Sequence, residues 1–189
     1  MAKGKLLRRW EKISAEQQRA YLEEANRNTD RGTAILVGAY LDTQLEVLLS
    51  SFMIADAPLV DRLFNPTQPL GSFGARMMLA YGLGLISEVE HHDLKIIQSI
   101  RNDFAHDLHG LTFQNDSITS RIENLTVGQE VWDLENYPRV YRDIKLRFTT
   151  ASSRLMYLLN QRINDVSERG GRQSPEHRPF VRSGGNASS

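Results

Sequence analysis

An arginine and a histidine lie five residues apart in the segment SIRNDFAHDL, and both side-chain types can act on phosphate esters. Histidine transfers protons near neutral pH, while the planar guanidinium of arginine binds phosphate oxygens. In a catalytic interpretation, His106 acts on a ribose 2′-hydroxyl or a leaving oxygen, and Arg101 neutralises the charge that builds up on the phosphate. This chemistry requires no metal ion.

Helix geometry places a condition on that interpretation. Because each residue turns a helix by about 100°, Arg101 and His106 point in directions about 140° apart, whereas Asn102 and His106 share a face. The pair could converge if the helix ended near Ala105, or if a second copy of the chain brought its own pair across a twofold axis. A symmetric dimer is the simplest way to make one site from this motif.

Two other hypotheses for the same segment stay open. In the structural hypothesis, the charged residues satisfy one another and cap the C-terminal end of a helix, where the dipole favours a histidinium. In the metal hypothesis, imidazole and carboxylate ligands come from Asp103, His106, Asp107 and His109. A compact ligand signature such as HExxH is absent, so the sequence predicts no metal and no cofactor.

Two acidic residues in a mostly apolar segment are the second unusual feature. Asp42 and Glu46 are four residues apart, so on a helix they share a face and repel each other. Because burying an unpaired carboxylate is costly, an arginine from another helix should compensate them, with Arg76 and Arg101 as candidates. Asp42, Glu46 and Arg76 are therefore a candidate binding group. The alternative is that both acids lie on a narrow solvent-facing strip.

Helical periodicity predicts the elements that position these residues, and the fold class is all-α, a multi-helix bundle. Apolar residues cover most of the circumference of a helix over 30–53, which predicts a long, buried central helix. Pro138 suits the first turn of a long C-terminal helix. Ser87 and Glu90 form a capping box that opens a helix running to about Gly110. The remaining expected elements are helices near 14–28, 59–64 and 72–81, and a loop over 111–137 with room for one short helix.

The composition predicts one domain and excludes several kinds of protein. The 189 residues suit a basic extension over 1–13, a single helical domain over 14–167, and a disordered Gly-, Ser-, Pro- and Arg-rich tail over 168–189. With 23 basic and 23 acidic side chains the net charge is zero, which disfavours direct DNA binding and leaves only local contacts with RNA. The absence of cysteine excludes disulfides, thiolate zinc sites and thiol nucleophiles.

No stretch reaches the roughly 18 uninterrupted apolar residues expected of a membrane span, and the basic N-terminus has no apolar run behind it. We therefore expect a soluble, cytoplasmic protein without membrane contacts.

The segment PLGSFGARMMLAYGLGLIS, followed by DLKIIQSIRNDFAHD, resembles the mannitol operon repressor family of bacterial proteins. The resemblance covers roughly residues 30–160 and is most specific from Pro69 to Asp107. It implies an all-helical fold and a role in transcriptional regulation, without a standard DNA-binding helix. We therefore expect a dimeric regulator that works through a protein partner.

The shorter segment RNDFAH is also similar to the R-polar-x-x-x-H motif of the HEPN superfamily, many of whose members are metal-independent endoribonucleases. The resemblance carries over to Arg101, Asn102 and His106, at the end of an amphipathic helix in an all-helical chain. It implies an enzyme as the alternative function.

Overall fold

The computed structural model describes residues 15–107, 110–129 and 143–169, and these ranges form seven helices and no strand. The predicted all-α fold is confirmed. The helices are α1 (Ala15–Arg27), α2 (Asp30–Phe52), α3 (Ala57–Leu63), α4 (Phe73–Gly82), α5 (Glu88–His106), α6 (Asp116–Glu123) and α7 (Ile144–Arg169).

The long helix α2 is the centre of the bundle, as predicted. It packs against α1, α4, α5 and α7, and eleven of its residues are buried. Gln44 fastens α2 to α7, because its amide donates to the Met156 carbonyl at 3.0 Å and to the Asn160 side chain at 2.9 Å. A helix that contacts protein on nearly every side has to be apolar around its circumference.

By length and composition, α2 is also long and apolar enough to cross a bilayer. The sequence-based expectation was that no stretch reaches the length and apolarity of a membrane span, and α2 reaches both by length and composition. Half of its 18-residue apolar stretch is buried inside the protein. Core helices and membrane spans share this composition, so composition alone does not distinguish them. The described contacts of α2 with four other helices identify it as the core helix of the bundle.

Local capping sets the bounds of α4 and α5. The Ser72 side chain accepts a hydrogen bond from the Ala75 amide at the start of α4, and Gly84 follows α4 with a φ of 68°, which favours glycine. The predicted capping box of Ser87 and Glu90 is present at the start of α5. The helix ends at His106, four residues before Gly110.

The C-terminal part of the chain also follows the predicted order. The one short helix expected in the loop excursion is α6, and the long C-terminal helix is α7, which packs on α2, α1 and α6. Its expected start at Pro138, the extension 1–13 and nearly all of the tail lie outside the described residues. The domain boundaries therefore stay predictions.

Tyr40 lies at the interface of α2 and α7 and gives the fold a pH dependence. Burial raises the pKa of Tyr40 to about 12, while a hydrogen bond with Asn160 acts in the opposite direction. The folded chain thus holds the phenol proton more tightly than the unfolded chain. Its contribution to stability is fully present below about pH 10 and is lost as the pH rises towards 12.

We therefore expect the urea midpoint of Tyr40→Phe to fall less steeply than that of the wild type between about pH 9 and pH 12. Tyr157→Phe is the matched control, because Tyr157 is 48% exposed. Equal slopes for wild type and Tyr40→Phe would contradict the assignment.

Candidate functional site

The acidic pair on α2 is compensated by an arginine, as the sequence predicted. Arg76 of α4 places Nη1 2.7 Å from Asp42 Oδ1 and Nη2 2.9 Å from Glu46 Oε2. The Arg76 side chain is 8% exposed, and the two carboxylates are 30% and 16% exposed. The acids are therefore partly buried in ion pairs and do not form a solvent-facing strip. Of the two candidate arginines, Arg76 makes both pairs.

Arg76 also binds the proline-rich connection between α3 and α4. Its Nε donates to the Leu70 carbonyl at 2.8 Å, and Nη2 lies 3.5 Å from the Phe64 carbonyl. The guanidinium carbon lies 5.4 Å from the centre of the Phe64 ring. These contacts, together with the two ion pairs, occupy the guanidinium on most of its sides. The arrangement suits a cation that locks a loop onto two helices, and its role in binding a partner stays a prediction.

Gly71 allows this loop to close. A Cβ added at Gly71 would lie 2.4 Å from the carbonyl oxygens of both Asn65 and Pro66, and neither backbone atom can swing away as a side chain would. We expect Gly71→Ala to lower the free energy of unfolding by about 1–3 kcal/mol, the usual cost of overpacking.

Urea denaturation followed by circular dichroism measures this effect. Gly82→Ala is the matched control, since a Cβ there meets nothing within 4 Å. A Gly71→Ala chain as stable as the control would show that the loop opens at no cost.

The predicted catalytic residues all lie at the end of α5. Arg101 donates from Nη1 to Asn102 Oδ1 at 3.0 Å. The stem of Arg101 packs on α2, where a Cβ at Gly38 would lie 2.6 Å from Arg101 Cγ. His106 is exposed and is the last residue of the helix. Because α5 stays helical through both positions, Arg101 and His106 point about 140° apart within one chain.

The charged residues around this motif bind neighbouring helices. Asp103 forms an ion pair with Arg121 of α6, which also donates to Ser99 Oγ at 3.0 Å. The Asp107 carbonyl accepts a hydrogen bond from Arg31. These contacts join the segment to α6 and α2, whereas the structural hypothesis expected its charged residues to satisfy one another, so that hypothesis stays a prediction. His109 lies outside the described residues, and the described ones contain no group of three or more His, Asp or Glu able to hold a metal.

A buried carboxylate on α5 was missed by sequence reasoning. Asp93 is fully buried and accepts hydrogen bonds from the backbone amides of Thr126 at 2.9 Å and Val127 at 2.6 Å. His92 Nδ1 lies 2.9 Å from Asp93 Oδ1. The available signal was the register of Asp93, four residues before Ile97 on the apolar side of the helix. An acid at such a position requires a donor from elsewhere in the fold.

The outer face of α5 borders an open groove of about 450 Å³ that Tyr81 of α4 also lines. The rings of Tyr81 and His91 are stacked, with centroids 4.4 Å apart and an interplanar angle of 1°. Burial lowers the pKa of His91, and the positive charges of Lys95 and His92 lower it further. The α5 residues that line the groove are Glu88, His91, His92, Lys95, Ile96 and Ser99.

Comparison with known proteins connects this fold to one family. A family model described as "Mannitol repressor" matches residues 26–148, more than half of the chain. The mannitol operon repressors of Escherichia coli K12 and of E. coli O6:H1 are each 34% identical over 59 residues. The match covers 31% of this chain and only 30% of each repressor.

A solved structure supports the fold over a longer part of the chain. It is described as the "X-ray structure of the MtlR-HPr complex from Escherichia coli" and matches with a TM-score of 0.55 and 22% sequence identity. The match covers 79% of this chain and 98% of the solved chain. At this identity the likeness shows a shared fold.

Proposed function

The chain belongs to the mannitol repressor family, and from this we propose that it regulates transcription through contacts with a protein partner. The observation that carries the proposal is the family match over residues 26–148, which includes most of the described bundle. The mannitol operon is named in the descriptions of the relatives. The proposal for this chain concerns the mode of regulation and not a particular operon.

The physical properties of the chain favour a protein partner over direct DNA recognition. The net charge is zero, so the chain as a whole has no excess of positive charge to attract it to DNA phosphates. The E. coli structure with the same fold is a complex with HPr. We propose that this chain likewise binds an HPr-type protein, acts in the cytoplasm and is a homodimer.

Calorimetric titration of the full chain with E. coli HPr tests the proposal, with an unrelated protein of similar size as the control. We expect saturable binding to HPr. In a parallel mobility-shift assay, the chain alone should not retard mannitol-operon DNA more than a scrambled fragment. A specific shift by the chain alone, without binding to HPr, would assign it to direct DNA recognition.

The ribonuclease hypothesis receives no further support from the described contacts, and it makes an opposite prediction. We expect both the wild type and His106→Ala to leave structured and single-stranded RNA intact in excess chelator. Circular dichroism should show that the two proteins are equally folded. Cleavage by the wild type that disappears in His106→Ala would establish a metal-independent nuclease instead.

A further inference from the structure

Exposed apolar side chains gather at one corner of the bundle. Among the described residues, five large apolar side chains are at least 41% exposed, and four of them lie on α4, in the turn after it or in the first turn of α5. We call this surface, together with the groove, the α4–α5 corner. A cluster of this kind typically marks an interaction surface, whereas single exposed apolar residues do not. The four side chains are Met78, Tyr81, Leu83 and Val89.

Two opposite charges lie on the same face of α5 at this corner. Glu88 and Lys95 both line the groove. Lys95 is seven positions after Glu88, so the two residues lie about 10 Å apart along the helix axis, and their directions around the axis differ by only about 20°. Neither side chain forms an ion pair or hydrogen bond with another described residue. The groove is thus lined by an unpaired carboxylate and, about two turns further along α5, by an unpaired ammonium.

We call the face of α5 from Glu88 to Lys95 the strip. The strip is complementary to the same strip of a second copy that runs in the opposite direction. A twofold axis that passes midway between Glu88 and Lys95 passes between His91 and His92, because these residues occupy the middle of the interval. The axis would place α5 antiparallel to its copy and bring each carboxylate opposite an ammonium. Isologous interfaces of homodimers have this property, since one patch supplies both partners.

We propose that the α4–α5 corner is a homodimer interface, in which α5 pairs antiparallel with α5 of a second copy and Glu88 of each chain faces Lys95 of the other. The proposal rests on the proposed function in one respect: it takes the homodimer proposed there and assigns its interface. It gives both unpaired charges a partner and places Tyr81, the exposed apolar residue that lines the groove, at the interface.

The charges of the corner favour a second copy over a strongly acidic or basic partner. The strip carries one fixed charge of each sign, so it offers no net attraction to a surface of a single sign. The lowered pKa of His91 keeps its imidazole neutral at the proposed axis. His92, on the other side of the proposed axis, is held in contact with the buried Asp93 of its own chain.

Sedimentation equilibrium of the full chain with charge-reversed variants tests the interface. Glu88→Lys places two lysines opposite each other at both ends of the strip, and Lys95→Glu does the same with two glutamates. We expect each to raise the dimer dissociation constant by about 10- to 100-fold. The double variant Glu88→Lys/Lys95→Glu should restore dimerisation. Glu24→Lys on α1 is the matched control, because Glu24 is exposed and lies on a different helix.

A mixing experiment gives a second, independent result. Glu88→Lys chains carry two lysines at the strip and Lys95→Glu chains carry two glutamates, so equal amounts of the two should form heterodimers in preference to either homodimer. Circular dichroism checks that each variant is folded.

A wild type that stays monomeric, or a dimer that tolerates both reversals, would overturn the proposal. So would a monomer in which these reversals change only the affinity for HPr, because the corner would then be the surface for that partner. Since the chain is measured alone, failure here leaves the calorimetric test of the proposed function intact.

Discussion

Replacing Arg76 with methionine is expected to lower the free energy of unfolding by about 3–5 kcal/mol, the usual cost of removing one partner from a buried ion pair. The substitution leaves Asp42 and Glu46 partly buried without a counter-charge. It also removes the donor to the Leu70 carbonyl, so the loop before α4 loses its anchor. Equilibrium unfolding in urea, followed by circular dichroism, measures the loss.

Two variants separate the contributions of charge and geometry. Arg76→Lys keeps the positive charge, but a single ammonium cannot serve two carboxylates and two carbonyls on different sides, so we expect an intermediate loss. Adding Asp42→Asn and Glu46→Gln to Arg76→Met removes the uncompensated charges and should recover part of the stability. An Arg76→Met chain that is fully stable but fails to bind HPr would assign the cluster to the binding role predicted from the sequence.

Replacing Asp93 with alanine is the second substitution with a large expected effect. We expect it to lower the free energy of unfolding by about 2–4 kcal/mol. The backbone amides of Thr126 and Val127 would lose their acceptor, and that of Val127 is buried. The turn that follows α6 would then no longer be bound to α5. Urea denaturation measures the loss in the free energy of unfolding. Hydrogen exchange of the Val127 amide should accelerate by more than this global loss accounts for, because the turn opens locally.

The controls for this prediction lie at the same site. Asp93→Asn keeps one acceptor oxygen, so its loss should be smaller than that of alanine. His92→Ala removes only the half-exposed imidazole and should cost little, because both backbone amides keep the carboxylate. If His92→Ala were as destabilising as Asp93→Ala, the imidazole would be the main partner of the carboxylate and the backbone amides minor ones.

Much of the fold follows from local sequence. The apolar circumference of α2 and the capping box of Ser87 and Glu90 depend on residues within about a turn of each other, and both features are where the sequence predicts them. The sequence also shows that Asp42 and Glu46 require compensation, because their spacing places two like charges on one face of a helix.

The sequence does not identify the compensating residue or the partners of Asp93. Arg76 lies 34 residues from Asp42, and the amides that bind Asp93 lie 33 and 34 residues away. Arg101, the other candidate, has its stem packed on Gly38 and its guanidinium on Asn102. Which of the two arginines pairs with Asp42 and Glu46 depends on how α4 and α5 pack against α2.

By itself the sequence determined the all-α class, the order of the helices, the family and the need for a buried cation. The tertiary structure alone decided that Arg76 supplies the cation, that Asp93 holds the turn after α6, and that Glu88 and Lys95 lack partners among the described residues. The physical reason is that periodicity and capping act over one or two helical turns. Burial and charge compensation depend instead on which distant segments pack together.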